Sequence, residues 1–239
     1  MSEHIVALSG GKDSTALALR LAEVEPRAYT YVCTPTGDEP AAFFDHMASL
    51  RTVLQAPILP IMHPLGLNGL IEKYHALPNY RQRWCTRILK IEPYRAWLAS
   101  HAPAVSYVGL RADEAGRAGG AYDDIPGITM RFPLREWGWT VDDVWGYLDR
   151  RNVHIPARLD CQRCFFQTLY EWWLLWRQSP LVYAEAESQE RLTGHTFRSA
   201  KRDTWPAGLA ELRERFQQGY IPKQRISALK QLQCRMCTL

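Results

Sequence analysis

The sequence predicts an α/β fold: a parallel β-sheet with helices on both faces, followed by a helical C-terminal part. Three observations carry this reading. Short apolar runs alternate with amphipathic stretches through the first 151 residues. The first run ends in a glycine turn that opens directly into a helical pattern. From residue 152 onward the segments are helical, rich in Trp and Arg, and contain no convincing strand. Strands alternating with helices imply a parallel sheet, with ligands bound at the carboxyl ends of its strands. The expected division is a nucleotide-binding α/β domain over 1–151 and a helical, basic, Cys-containing region over 152–239.

The elements follow in order. Residues 4–8 form the first strand, and the alternating apolar pattern after Asp13 runs as a helix to about Ala22. A second strand covers 27–33, and the loop Thr36-Gly37-Asp38-Glu39-Pro40 leads to a helix over 41–54. A third strand is expected at 57–63, with a short helix over 66–75, and a further helix at 90–100. Residues 105–110 form the fourth strand, 114–126 a Gly- and Asp-rich loop, and 128–134 the fifth strand. Thr140 is placed to cap a helix over 141–151, with Asp142 and Asp143 in its first turn. The C-terminal helices are expected over 166–178, 181–192, 206–218 and 223–232.

Composition narrows the classes. At 239 residues with 46% hydrophobic content, the chain can bury a sizeable core. No run is long or apolar enough to span a membrane, and the first strand begins too early for a signal peptide, so an intracellular, cytoplasmic protein is expected. Six cysteines are then read as thiols, catalytic groups or metal ligands rather than disulfides. Residues 191–239 hold ten Lys/Arg against three Asp/Glu, which leaves the rest of the chain net acidic. Such a basic segment is a solvated surface, a phosphate-binding wall or a nucleic-acid footprint. Trp172, Trp173 and Trp176 fall at helical spacing, as a packing stripe or as a platform for stacking bases.

The sharpest signal is Ser9-Gly10-Gly11-Lys12-Asp13-Ser14. Two glycines let the backbone approach an anion, and a helix start directs free N–H groups and its positive dipole end at it. Ser9 and Ser14 add hydroxyls, and Lys12 adds charge. A carboxylate repels bare phosphate, so Asp13 either caps the helix or holds a magnesium ion bridging phosphates. The spacing matches neither G-x-x-x-x-G-K-[ST] nor G-x-G-x-x-G.

S-G-G-x-D-S after an N-terminal strand resembles the pyrophosphatase loop of adenine-nucleotide alpha hydrolases, which bind ATP and cut between its alpha and beta phosphates. Further stretches fall in register with it. They are Trp84-Cys85-Thr86-Arg87-Ile88-Leu89-Lys90-Ile91-Glu92-Pro93, Gly109-Leu110-Arg111 with Arg117, Pro133-Leu134 with Trp139 and Asp143-Val144-Trp145, and Cys161-Gln162-Arg163-Cys164. With the Thr36–Gly37 loop, these resemble the phosphoadenosine-phosphosulfate (PAPS) reductase family over about residues 4–170. The sulfonucleotide reductases of that family carry a degraded phosphate loop and a C-terminal tail with a single catalytic Cys between Glu and Gly. Here the loop is complete, and the chain ends Cys234-Arg235-Met236-Cys237-Thr238-Leu239. The resemblance is therefore to the ATP-using, sulfur-transferring branch, such as the enzymes of DNA phosphorothioation.

What the resemblance implies is an enzyme that binds Mg-ATP and adenylylates an acceptor, with sulfur transfer to a nucleic acid or nucleotide. Ser9, Gly10, Gly11, Lys12, Asp13, Ser14, Gly37, Lys90 and Gly109 would bind the nucleotide. Lys12, Asp13, Arg111 and Arg117 would carry the catalytic charges and the Mg2+. Iron–sulfur members hold a [4Fe–4S] cluster with cysteines at positions matching Cys85, Cys161 and Cys164, and the fourth thiolate would come from Cys237 or Cys234. Zinc or a redox dithiol satisfies the same spacing. Cys33, inside a strand, is read as a buried apolar residue. Rival readings are a thiol-dependent PAPS reductase producing sulfite and a nucleotide-gated nucleic-acid-binding subunit without turnover. Expected partners are the nucleotide, a nucleic acid at the basic C-terminal region, a sulfur-donor protein and a second copy of the chain.

Overall fold

The computed structural model describes residues 2–114, 116–117, 122 and 124–224. Strands β1 (Glu3–Ala7), β2 (Thr30–Cys33), β3 (Ile58–Pro60), β4 (Ala104–Tyr107) and β5 (Ile128–Arg131) form one sheet in the order β3-β2-β1-β4-β5. Every neighbouring pair is parallel, with Ile5 opposite Thr30 on one side of β1 and Ser106 on the other. The chain winds from β1 outward to β3, then returns to the other side of β1. The point of reversal, between the carboxyl ends of β1 and β4, is where open α/β sheets leave a crevice.

Parallel strands are covered on both faces, so successive side chains enter different cores. Val6 and Tyr31 pack with α1 (Lys12–Val24), α2 (Ala41–Leu54) and α7 (Val141–Arg150). Ile5 and Val32 pack on the opposite face, against Tyr94 and Leu98 of α5 (Glu92–Ser100) and Ile128 of β5. Thr140 caps α7 as expected, sharing a reciprocal capping box with Asp143.

The helix expected to begin near Lys90 starts earlier and is irregular. A short α4 (Trp84–Thr86) and a π-helical turn (Arg87–Ile91) lead into α5. Pro93 explains the irregularity: it has no N–H for the Leu89 carbonyl, and its ring crowds that carbonyl. The chain widens just before it, and the Glu92 N–H reaches back five residues to the Arg87 oxygen. The Glu-Pro pair in the sequence thus encodes a bulge beside the sheet's carboxyl end.

The C-terminal part is helical as read. Helices α8 (Leu169–Gln178), α9 (Pro180–Thr193) and α10 (Leu209–Gln217) enclose a third core with α3 (Gly66–Tyr74) and with Ile88 and Leu89. A four-residue helix, α6 (Pro133–Glu136), stands where the fifth strand was expected to continue. Trp172 is fully buried against Tyr183 and Phe197, Trp173 is buried beside Tyr170, and Trp176 packs on Phe216. The tryptophan stripe is therefore core, which corrects the base-stacking alternative. The helix expected over 223–232 lies almost wholly outside the described residues, as do Cys234, Cys237 and part of the 114–126 loop.

Candidate nucleotide site

The loop after β1 and the segment after β4 meet at the sheet's switch point. Gly10 has φ +79°, a left-handed conformation that glycine adopts without strain, and a Cβ there would lie 3.3 Å from Met47 Sδ. Gly11 is the N-cap of α1 and no side chain caps the helix. A helix start that no side chain caps is the arrangement that suits an anion. Ser9 and Ser14 close the loop through a 3.0 Å bond between their hydroxyls, and Ser14 also donates to the Gly11 carbonyl. Beneath it, burial holds the His46 pKa below its ordinary value, opposed by the bond to Gly10.

Gly109 carries the second half of the site. A Cβ at this position would sit 3.1 Å from both the Asp13 carbonyl carbon and the Ser14 nitrogen. Only a residue without a side chain lets the end of β4 lie flat on the start of α1. That contact brings Arg111 onto Asp13, with Nη1 2.9 Å from Oδ2. Lys12 Nζ reaches the same oxygen at 3.0 Å. Asp13, Lys12 and Arg111 are all buried. Burial works against the Arg111 charge, but Asp13, Asp113 and Glu114 outweigh it and hold the pKa above the ordinary value. Glu114 in turn binds Arg117, at 2.5 Å between Oε1 and Nη1.

A cavity opens above this charge network. Its walls include Ser9, Gly11, Asp13, Ser14 and Gly109 from the two loops, the apolar side chains of Val32, Cys33 and Phe43, and Lys90, Arg117 and Tyr122. Thr86, the last residue of α4, and Lys90 and Ile91 of the π-helical turn also line the cavity. Most residues expected to bind the nucleotide are therefore gathered at one cavity. Gly10, Lys12 and Gly37 of that set are not part of the cavity lining, nor is Arg111, and Lys12 is turned onto Asp13. Arg87 lies on the surface, paired with Glu92. Cys33 is buried as expected, yet it also lines the cavity, and burial pushes its thiol up to about 12.

Gly37 (φ +82°) lies in a loop organised by Glu39. This carboxylate accepts the N–H groups of Thr36, Gly37 and Asp38 and the Thr36 hydroxyl, and it lines the cavity. Asp38 grips the Cys161-x-x-Cys164 segment: it accepts the Arg163 backbone N–H at 2.8 Å and the Arg163 guanidinium at 2.6 and 2.8 Å. Burial raises the Asp38 pKa against the pull of Arg163. Neither Glu39, Asp38 nor Arg163 was singled out from the sequence. The acid pair inside a Thr-Gly turn was the available signal, since carboxylates in turns bond to nearby N–H groups.

These residues fit the two implied metal sites unequally. Asp13 Oδ1 is buried without a hydrogen-bond partner, while Oδ2 is held by Lys12 and Arg111. One unpartnered carboxylate oxygen at the cavity suits a magnesium ion that is bound mainly by the nucleotide's phosphates. The cysteines fit their group less well. Cys164 senses both Cys161 and Cys85, and Cys161 Sγ lies 3.1 Å from the Thr36 hydroxyl. Burial raises all three thiols, Cys164 to about 11. Among the described residues no three His, Cys, Asp or Glu side chains converge as a metal site, and Cys237 lies outside those residues.

A parallel α/β sheet with a glycine loop at its switch point, facing a cavity that holds both apolar and cationic walls, defines a nucleotide-binding class of fold. The family follows from the sequence match: residues 3–160 fit the model of the phosphoadenosine phosphosulfate reductase domain, and the chain belongs to that family. Among solved structures, the chain is similar to phosphoadenylyl-sulfate (PAPS) reductase from Candida auris in its phosphate complex, with a TM-score of 0.51 and 14% identity. That match covers 65% of this chain and 75% of the other, and it supports the fold. A comparison with curated proteins gives no match. No helix among the described residues is long and apolar enough to cross a membrane.

Proposed function

We propose that the chain binds Mg-ATP in the cavity above residues 9–14 and cleaves the bond between its alpha and beta phosphates. An acceptor oxygen attacks the alpha phosphorus, the bond to the bridging oxygen breaks, and pyrophosphate leaves. The acceptor oxygen then carries an adenylyl group, and a sulfur nucleophile can attack the acceptor atom that bears this oxygen, the C–O or P–O bond breaking as AMP leaves, with a nucleic acid or nucleotide as the acceptor class. The observation that carries this reading is the complete Ser-Gly-Gly-Lys-Asp-Ser loop, whose helix start is uncapped by any side chain and faces the cavity.

The residues divide the work by position. The N–H groups at the start of α1 and the Ser9 and Ser14 hydroxyls receive the leaving phosphates. Arg117 and Lys90 supply charge from the cavity wall, and phosphoryl transfer gains most from fixed electrostatics. Arg111 and Lys12 hold Asp13 in place from behind. When bound, magnesium would neutralise phosphate charge, with Asp13 as its protein ligand. The apolar side chains of Val32, Cys33 and Phe43 in the cavity lining suit an adenine ring.

A second reading, reduction of PAPS to sulfite, is favoured by the family match and by the cysteines placed against the Thr36 loop. Titration calorimetry separates the two at the level of binding. Mg-ATP should bind wild type, and Arg117→Gln should weaken it about tenfold. Binding of PAPS but not Mg-ATP would overturn the ATP reading.

A further inference from the structure

We propose that Arg135 is a positioning residue for this site, one that sets the loop carrying Arg111 and Arg117 without touching the ligand. The inference rests on the nucleotide-binding reading above. Arg135 lies in α6, just beyond β5, and its guanidinium crosses to a segment that follows β4. There Nε donates to the Arg111 carbonyl at 3.3 Å, and Nη2 donates to the carbonyls of Glu114, at 2.8 Å, and Arg117.

The spacing of those acceptors explains why one side chain can gather them. The Glu114 N–H bonds back to the Arg111 oxygen at 3.2 Å, and the Arg117 N–H bonds back to the Glu114 oxygen at 2.9 Å. Two consecutive turns of three residues bring the carbonyls of 111, 114 and 117 to one side. A planar guanidinium presents a fixed fork of donors to such a set, which a lysine ammonium, as a single point, does not. Two further bonds strap the same loop to the same region: Ala112 N–H to the Trp139 oxygen at 2.9 Å, and Val141 N–H to Asp113 Oδ2 at 3.3 Å.

The consequence is mechanical. Arg111 presses on Asp13 and Arg117 stands in the cavity wall, and both directions are fixed by the path of this backbone. Without Arg135 the three carbonyls turn to water and the loop gains freedom, so Arg117 spends less time facing the phosphates. Preorganisation of that kind changes affinity through the group that is held, not through new contacts.

The test is a double-mutant cycle between Arg135→Gln and Arg117→Gln, read as the calorimetric Kd for Mg-ATP, with Arg135→Lys as the milder variant should Gln impair folding. Arg135→Gln in the wild-type background is expected to weaken binding about tenfold, and in the Arg117→Gln background to have a clearly smaller effect, what remains passing through Arg111, because interacting sites are non-additive. Equal losses in both backgrounds, or no loss in either, overturn the proposal. Amide hydrogen exchange of the 111–117 segment is measured on the same proteins without nucleotide. Faster exchange in the Arg135 variants is expected, and unchanged exchange overturns the role. A wild type that binds no nucleotide would refute the functional reading, while exchange would still decide whether Arg135 holds the loop.

Discussion

Gly109→Ala tests the contact on which the site is assembled. The added methyl would lie 3.1 Å from the Asp13 carbonyl carbon, 3.1 Å from the Ser14 nitrogen and 3.2 Å from the Asp13 oxygen. All three neighbours are backbone at the first turn of α1, so no side chain can swing away. The end of β4 must lift from the helix by a few tenths of an ångström. Overpacking of this kind costs about 1–3 kcal/mol, and reduced freedom of the unfolded chain returns about 0.4–1 kcal/mol. The net loss, centred at about 1.3 kcal/mol and at most about 2.6 kcal/mol, corresponds to a fall of about 3–5 °C in Tm at the centre for a chain of this size. Nucleotide affinity should fall further than stability, because the displaced atoms belong to the phosphate loop and to the partner of Arg111. Thermal unfolding and Mg-ATP calorimetry are run beside Gly146→Ala, whose nearest contact is the flexible end of Arg150 at 3.4 Å inside α7. That control should be neutral or stabilising. A Gly109→Ala protein as stable as wild type, with unchanged affinity, would refute the close approach of β4 to α1.

Other expectations follow from the same geometry. Asp38→Ala leaves the buried Arg163 guanidinium with only the half-exposed Glu185 carboxylate, at 3.2 Å, and should destabilise by about 3 kcal/mol, whereas Asp38→Leu with Arg163→Met should recover much of the loss in denaturant unfolding. At the cavity, Lys90→Ala should weaken Mg-ATP binding about tenfold, while Arg87→Gln, at an exposed ion pair with Glu92, should leave it unchanged in the same titration. Glu190 supplies a pH dependence: burial pushes its carboxyl up to about 7, against its bonds to the Leu209 and Phe197 N–H groups. Folding then takes up a proton between the ordinary carboxylate range and neutrality, so Glu190 makes stability fall as pH rises through that window. Unfolding midpoints from pH 5 to 8 should decline less in Glu190→Gln than in wild type.

Much of this was legible in the sequence because local chemistry matched the global fold. The phosphate loop announces itself through two glycines after an apolar run, and the Thr140 capping box through Thr and Asp three residues apart. Four of the strands were read too long at their carboxyl ends, as where 105–110 shortens to β4 at Tyr107, since the residues beyond it turn to build the site, while β2 ends at Cys33 as read but begins only at Thr30. The π-helical turn was encoded in Pro93 but is visible only when the missing N–H is followed to the carbonyl it leaves. Long-range partners were not legible. Nothing local in Arg163 points to Asp38, 125 residues away, or in Arg135 to three carbonyls before β5. The tryptophan stripe shows the same limit, because helical spacing names a face without saying what covers it.

The central claim is that this loop works on the pyrophosphate of ATP. The most direct test incubates anaerobically purified protein with Mg-ATP or PAPS, with single-stranded and duplex DNA as acceptors, sulfide as donor and a dithiol as reductant. Pyrophosphate and sulfite are then measured for wild type and Arg117→Gln. The account predicts pyrophosphate from ATP, reduced in Arg117→Gln, and no sulfite from PAPS. Sulfite from PAPS with no pyrophosphate from ATP would contradict it.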